Sequence, residues 1–186
     1  MKSIKGIKVK QMAKNLESFQ SITPLQELEN IYQTKIVNTV QVEEWNQEYE
    51  AMEFELFQHR IKSRLGKKTP KKKGYFVTLW EKDKNSQNIP IHFDKMSDYL
   101  IIHIFDQELN GMFVFDKKTL LTKGILSDIK HNGKMAFRVY PTWDTDLNTT
   151  AFKTQQWQKS HFIDLSQTSL KQQKPKLDSL LNHEIN

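Results

Sequence analysis

Several β-prone runs follow one another through short links in the middle of the chain, and this feature most constrains the fold. The runs GYFVTLW, SDYLIIHIF and GMFVF are rich in the β-branched and aromatic residues typical of strands. The segment DQELN joins the last two runs, and Asn110-Gly111 at its far end predicts a hairpin turn. Because little room remains for a helix between these strands, we expect antiparallel pairing rather than a doubly wound parallel sheet.

Helical patterns lie on either side of these strands. TPLQELENIYQTKIVNTV places Pro24 in a first helical turn and repeats apolar residues near helical spacing. VEEWNQEYEAM predicts a second short helix, and TTAFKTQQWQKSHFIDL predicts a later one with Phe152 and Trp157 facing inward. The expected fold class is therefore α+β: a mixed, largely antiparallel central sheet flanked by N-terminal helices and a C-terminal helix.

The 186 residues suffice for one compact domain, which we expect to span residues 1–165. Residues 166–186 form a polar C-terminal extension that we expect to be peripheral, since only Leu177, Leu180 and Leu181 look able to pack. The stretch MKSIKGIKVKQ lacks the apolar run of a secretory signal, and YLIIHIF is too short to span a membrane. We therefore expect a cytoplasmic protein with no membrane partner.

Residue types exclude several kinds of site. The chain contains no cysteine, which rules out disulfides, catalytic thiols and cysteine zinc sites. Its histidines are scattered and form no zinc-binding pair, and GxGxxG, P-loop and GxSxG motifs are absent from the sequence. No cofactor is therefore expected.

Charge is distributed unevenly along the chain. The net charge is +6, which favours nucleic acid, phosphorylated ligands or an anionic membrane surface as partner. Acidic residues dominate from Glu27 to Glu55, whereas the span from Leu56 to Trp80 contains none. This switch predicts an acidic helical side and a basic working side.

The lysine-rich segment RLGKKTPKKKGYFVTLW is the first candidate binding site. Pro70 disfavours helix at the preceding residue, so the lysines should lie on an extended or turned segment. Side chains on such a segment fan outward and can contact several phosphates of one nucleic-acid backbone. The candidate contacts are Arg64, Lys67, Thr69, Lys71, Lys72 and Lys73. The alternative is a solvated loop that protects a sheet edge from aggregation.

Two later segments supply further candidates. In FRVYPTWD, Arg138 can hold a phosphate while Tyr140 or Trp143 stacks on a base. In KTQQWQ, Lys153 and Gln155 can contact phosphate or base edges from a helix. In the alternative interpretation the aromatic residues cap the core, Arg138 pairs with an acid, and the helix presents an ordinary polar surface.

A metal-dependent nuclease is a second possible function. Restriction-type enzymes place an acid near the start of one strand and an acid-x-Lys motif on the next. Asp98 precedes YLIIHIF, and Asp116 and Lys118 follow GMFVF in the required order. Such carboxylates would have to converge on one phosphate through Mg²⁺. The acid-x-Lys motif alone is weak in a chain this rich in charged residues.

Taken in order, these motifs resemble the MepB-like family of bacterial proteins, named for a protein encoded beside a multidrug efflux pump and its regulator. The matching pieces are RLGKKTPKKKGYFVTLW, GMFVFDKKTLLTKGI, GKMAFRVYPTWD and AFKTQQWQKSHF. Gly66 and Tyr75 depart from the family pattern, and Asp116 stands where proline is expected, which weakens the nuclease interpretation.

The resemblance implies a nucleic-acid-binding role and an architecture akin to restriction-type endonuclease domains. Three functions follow as expectations: a nucleic-acid-binding or phosphate-binding protein without catalysis, a Mg-dependent nuclease, and a protein-interaction module of an efflux or resistance operon. The first is favoured, since convergence of three polar segments on one anionic ligand explains them most simply.

Overall fold

The structure is a computed structural model that describes residues 16–182. The lysine-bearing N-terminal stretch and the last four residues lie outside the described residues. The helices are α1 (Ile22–Tyr32), α2 (Lys117–Thr122), α3 (Thr149–Gln158) and α4 (Lys174–Leu180). The strands are β1 (Gln41–Val42), β2 (Met52–Leu56), β3 (His59–Leu65), β4 (Lys67–Thr69), β5 (Lys72–Thr78), β6 (Trp80–Lys82), β7 (Asn88–Pro90), β8 (Tyr99–Asp106), β9 (Leu109–Asp116), β10 (Ala136–Val139) and β11 (Phe162–Asp164).

The strands form a large sheet and two smaller ones. The large sheet has six strands in the order β1-β2-β3-β8-β9-β11, with β3 and β8 parallel and the other neighbours antiparallel. A three-stranded sheet has the order β10-β5-β4, and β6 pairs with β7. These pairings confirm the predicted α+β fold with a mixed, largely antiparallel central sheet.

Both faces of the large sheet are covered. Successive side chains along its central strands alternate between these two faces. Tyr99 and Ile101 of β8 join a first core cluster with the leucines of α1 and α4. Leu100, Ile102 and Ile104 point the other way, into a second cluster shared with β5, β10 and α2. The three-stranded sheet therefore covers the second face of the large sheet and leaves its own outer face exposed.

The turn between β8 and β9 differs from the prediction. Asp106 pairs with Leu109, so the two-residue turn is Gln107-Glu108, with Gln107 at φ 59°. Gly111 lies inside β9, opposite Ile104. A Cβ at this glycine would come 2.5 Å from Phe162 Cζ, so the residue is glycine because a ring packs directly on the backbone.

Three predicted helices are shorter than expected. In TPLQELENIYQTKIVNTV, α1 ends at Tyr32 and only a 3₁₀ turn at Val37–Thr39 follows. VEEWNQEYEAM contains only a 3₁₀ turn at Gln47–Tyr49, flanked by the left-handed residues Asn46 and Glu50. The Glu50 carboxylate accepts hydrogen bonds from the backbone and hydroxyl of Ser21, and this tertiary contact overrides helix propensity. In TTAFKTQQWQKSHFIDL, α3 ends at Gln158 and the final residues form β11 at the edge of the large sheet.

The C-terminal segment is not peripheral, contrary to expectation. Leu170, Leu177 and Leu181 are at most 1% exposed and belong to the first core cluster. The hydroxyl of Tyr99 donates to the backbone oxygen of Leu181 over 2.9 Å. Because these leucines cover the face of the large sheet beside α1, residues 166–182 complete the core.

Within residues 16–182, no helix combines the length and apolar character needed to cross a membrane.

We expect Leu177→Ala to lower the free energy of unfolding by about 2–5 kcal/mol, since it removes a fully buried side chain from the first cluster. Urea denaturation measures this loss. The control is Ser179→Ala, an exposed position in the same helix, which should change stability by less than about 0.5 kcal/mol. Equal small effects from both variants would contradict the placement of α4 in the core.

Candidate nucleic-acid interface

The lysine-rich segment folds as a tight hairpin, here called the lysine hairpin, that consists of β4, β5 and the turn between them. Lys67 pairs with Phe76 and Thr69 with Lys72, with a register shift between Lys68 and Thr69. Pro70 and Lys71 form the tip, in agreement with the predicted turned segment. Lys71, Lys72 and Lys73 are exposed and make no ion pair with any described residue.

Gly74 allows the hairpin to pack tightly against the strand beside it. Its φ is +73°, and a Cβ there would lie 2.5 Å from Tyr140 Cε1 and 2.8 Å from the Val139 oxygen. The Tyr140 ring therefore lies directly on the hairpin backbone, at the end of β10. Glycine satisfies both the backbone angle and the close contact.

Arg138 of β10 is bound to the same hairpin. Its Nη1 donates to the backbone oxygens of Lys73 and Gly74 over 3.2 and 3.1 Å. Its Nη2 donates to Thr69 Oγ1 over 2.5 Å. These bonds fix a guanidinium charge beneath the lysine tip, so two of the three segments singled out in the sequence do come together. The alternative interpretation paired Arg138 with an acid, but among residues 16–182 Arg138 forms no ion pair.

On the outer face of the three-stranded sheet, cations alternate with aromatic rings. Lys67, Phe76 and Arg138 are direct cross-strand neighbours in one row. The Arg138 guanidinium lies 5.5 Å from the centre of the Phe76 ring, and Lys67 Nζ lies 5.2 Å from the centre of the Tyr49 ring. The sequence reasoning missed Phe76 and Tyr49. The alternation in GYFVT could have identified Phe76: side chains alternate along a strand, so if Tyr75 and Val77 point inward, Phe76 must point to the outer face.

A hollow of about 300 Å³ lies against the lysine tip; one acid lines it, and a second binds two of its lining residues. Asp144 lines it together with the lysines. Burial raises the pKa of Asp144, and Lys73 and Lys68 oppose this effect. Asp106 accepts hydrogen bonds from Lys68 Nζ and the Tyr75 hydroxyl, both over 2.7 Å, and the Lys68 bond most strongly lowers the pKa of Asp106. The charge of Lys68 is thus partly compensated by Asp106, whereas Lys71, Lys72 and Lys73 form no ion pair with a described residue.

Arg64 cannot contact a phosphate, and the prediction for this residue is wrong. The side chain is 0% exposed. Its Nη2 and Nη1 donate to the Glu43 carboxylate over 2.6 and 3.0 Å, and its Nε donates to the Thr78 oxygen over 3.2 Å. Lys62 also binds Glu43 and Glu53. The acidic and basic segments therefore neutralise one another in part instead of forming two separate faces.

Gln155 and Trp143 also have structural roles. Gln155 is buried, and its Nε2 donates to the backbone oxygens of Pro141 and Asp144 over 2.7 and 2.9 Å. This amide therefore holds the loop after β10 and is not available for a base edge. The Trp143 ring packs edge-on against Phe162 at 5.0 Å, on the second core cluster.

Lys153 is the candidate that the structure leaves separate. It is exposed on α3 and does not line the hollow at the lysine tip. It also does not line a further hollow that lies between Arg138, Tyr140 and Trp157. The helix instead meets β10 through Gln158, whose Nε2 donates to the Arg138 oxygen over 3.0 Å and whose Oε1 accepts from the Tyr140 nitrogen over 2.8 Å. α3 thus positions the strand that carries Arg138.

The residues of the nuclease hypothesis share a hollow of about 220 Å³ at one end of β8 and β9. Asp98, Asp116 and Lys118 all line it. The Asp116 carboxylate caps α2, accepting from the nitrogen and hydroxyl of Thr119 over 2.8 and 2.6 Å. Asp98 accepts from the Arg60 nitrogen and faces Lys117. Among residues 16–182 no three His, Cys, Asp or Glu side chains are grouped to hold a metal ion.

Comparison with known proteins agrees with the motifs. A sequence model of the MepB-like family matches residues 43–164. The chain belongs to the MepB-like family. A solved crystal structure of MepB is 43% identical in sequence, with a TM-score of 0.70, and the match covers 79% of this chain and 97% of that one. No curated protein matched the chain.

The family range contains the features described above. In this MepB-like chain it begins at Glu43, the partner of Arg64, and ends at Asp164 in β11. The lysine hairpin, β10 and α3 all fall within it, whereas α1 and α4 fall outside.

A comparison of two arginines tests the structural role of Arg64. We expect Arg64→Met to lower the free energy of unfolding by about 3–5 kcal/mol, because it breaks a buried ion pair and leaves Glu43 without its main partner. Arg60→Met removes the same charge from an exposed pair with Glu53 and should cost less than about 1 kcal/mol. Urea denaturation of both variants provides the measurement. Similar losses in the two would show that Arg64 is not buried in an essential pair.

Proposed function

We propose that this MepB-like protein binds nucleic acid through the phosphate backbone, at the tip of the lysine hairpin and along the outer face of the three-stranded sheet. The observation that supports this most is the grouping of Lys71, Lys72 and Lys73, exposed and without ion pairs among the described residues, directly above the fixed guanidinium of Arg138. A polyanion gains from such a cluster by releasing its condensed counterions.

The shape of the hairpin suits a backbone contact. Its tip projects lysine side chains, which bind phosphate as mobile point charges and read base edges poorly. Arg138 uses donors to hold the hairpin, so its main contribution is positioning and charge rather than base recognition. Binding should therefore be strongly salt-dependent and weakly selective for sequence.

The nuclease alternative is less well supported by the same structure. Asp116 is occupied as a helix cap, and no three His, Cys, Asp or Glu side chains among the described residues are grouped to hold a metal ion. The proposal accordingly involves no cofactor. It places the protein in the cytoplasm, where nucleic acid is accessible. A role as a protein-interaction module of an efflux operon would become the leading hypothesis if nucleic-acid binding proved absent.

Replacing Lys71, Lys72 and Lys73 with Ala tests the lysine tip. Each phosphate neutralised on duplex DNA contributes a slope of about −0.9 in log affinity against log salt concentration. The triple variant should therefore flatten the measured slope by roughly two to three units. Filter binding on unrelated sequences across a salt series gives the slope.

The matched control replaces Lys84, Lys130 and Lys171 with Ala. These exposed lysines lie on other segments, and their replacement changes the net charge by the same amount. Their loss should leave the slope nearly unchanged. If both triple variants bind like the parent at every salt concentration, the lysine tip is a solvated loop and the proposal is wrong.

Asp144→Asn should increase affinity. The substitution removes a negative charge from the hollow at the lysine tip, and we expect about twofold to fivefold tighter binding of duplex or single strand. It should also raise stability at neutral pH. Because burial raises the pKa of Asp144, the folded state binds this proton more tightly than the unfolded state, and the parent loses stability as the pH rises through that pKa.

The control for this change is Asp146→Asn, which removes an exposed carboxylate from the same loop. Binding titrations and thermal denaturation between acid and neutral pH compare the two variants. Unchanged affinity in Asp144→Asn would contradict a polyanion site at the lysine tip.

A further inference from the structure

Another hollow, of about 500 Å³ and here called the aromatic hollow, lies beside the outer face of the three-stranded sheet, and neither the sequence motifs nor the proposed phosphate contacts explain it. Its walls include Trp45, Asn46, Tyr49, Thr78 and Trp80. Tyr49 joins it to the proposed interface, because the Tyr49 ring also packs 6.2 Å from Phe76 and faces Lys67. The hollow is therefore continuous with the row of cations and rings described above.

The walls suit a flat ring. The Trp45 and Trp80 indoles are inclined by only 27°, with centres 6.3 Å apart. Trp45 is 37% exposed although it is a large apolar side chain. Lys82 Nζ lies 5.6 and 5.7 Å from the two ring centres, so a cation borders the hollow. Exposed aromatic faces next to cations are the common means of binding unpaired bases.

The floor of the hollow carries unused hydrogen-bonding capacity. Asn46 is only 8% exposed, and its Nδ2 donates to the Trp80 oxygen over 2.9 Å. Its Oδ1 is buried and accepts no hydrogen bond from the described part of the chain, and Thr78 Oγ1 is also buried there without a partner. Buried polar atoms of this kind are costly in the unbound protein, so a ligand that pairs with them gains affinity and specificity.

The charge of the wall excludes phosphate from the hollow itself. The exposed carboxylates of Glu44 and Glu48 line it and repel anions, but they accept hydrogen bonds from amino groups. Lys67 and Lys82 lie at its margins, where phosphates on either side of a bound ring could be held. An uncharged, planar group rich in donors fits these walls.

We propose that the hollow takes one unpaired, amino-bearing nucleobase of a single strand. The base stacks on the exposed Trp45 indole, and its amino group donates to Asn46 Oδ1 once rotation of the Asn46 side chain uncovers that oxygen. The inference rests on the proposed nucleic-acid binding and adds to it a preference for single strands over duplex. A duplex has its base edges paired and its bases stacked, so it cannot present a base in this way. Cytosine is preferred over uracil, because uracil replaces the amino donor with an oxygen that faces acceptors.

Three decamers that carry the same phosphates test this inference: one of deoxycytidine, one of deoxyuridine and one without bases. The parent protein should bind the cytosine decamer several-fold more tightly than the uracil decamer and the abasic decamer most weakly. Trp45→Ala should weaken binding of the cytosine decamer by about fivefold to a hundredfold and leave the abasic decamer and the salt slope unchanged. Phe152→Ala, which removes another exposed ring, should bind all three decamers like the parent.

Asn46→Gly tests the amino contact itself. Glycine tolerates the left-handed backbone at this position, where φ is 60°, and thermal denaturation verifies the fold. The variant should lose the preference for cytosine over uracil. If this variant fails to fold, titration of free cytidine and free uridine into the parent protein tests the same amino contact. Cytidine should then shift the Trp45 and Trp80 indole NMR signals at lower concentration than uridine.

The outcomes distinguish this inference from the proposed function. Equal binding of all three decamers by the parent and by Trp45→Ala, with a salt slope that still depends on Lys71, Lys72 and Lys73, would overturn the base site alone. Absence of binding to every decamer and to duplex, together with indole signals that shift with cytidine, would overturn the polyanion proposal and retain a site for a free nucleoside. If the protein binds no nucleic acid and cytidine shifts no indole signal, the polyanion proposal and the base site are both overturned.

Discussion

The buried ion pair between Arg64 and Glu43 is the interaction on which the arrangement of the two larger sheets depends. Arg64 lies on β3 of the large sheet, Glu43 precedes β2, and the Thr78 oxygen that accepts from Arg64 Nε lies at the end of β5. A buried pair is stable only when its remaining donors are satisfied, and Arg64 meets this condition through backbone oxygens. The end of β5 is therefore fixed where its outward side chain, Thr78, enters the wall of the aromatic hollow.

The two faces of the large sheet have different roles because of what covers them. Helices α1 and α4 close one face with the leucines of the first core cluster. The three-stranded sheet closes the other face with the inward half of its side chains, and its outward half stays partly exposed. The exposed half carries the lysine tip, Arg138 and Phe76. Because the layer that covers this face is itself a sheet, its second face remains available for binding.

Much of the fold follows from the sequence because its signals are local. The β8 and β9 runs, the mixed sheet, α1 and the turned lysine segment were predictable from strand alternation, helical periodicity and proline geometry. The errors have nonlocal causes. Gly111 looked like part of a turn because the ring of Phe162 above it comes from a distant segment. Arg64 looked exposed because its partner Glu43 lies far along the chain, and Gln155 looked like a base reader because its backbone acceptors meet it only after folding. The aromatic hollow was missed for the same reason, since Trp45 and Trp80 come from separate segments.

The docking of α4 has a consequence for how the protein is made. Asp178 accepts from the Tyr32 hydroxyl over 2.7 Å, and Leu177 and Leu181 complete the cluster that begins with Leu25 and Leu28. During synthesis α1 emerges from the ribosome early, but its apolar side remains incompletely covered until residue 181 has also emerged. Throughout translation of the intervening strands, the nascent chain therefore exposes leucines and unpaired strand edges at once, the combination that favours aggregation and chaperone binding. The first core cluster therefore cannot close before residue 181 has been synthesised.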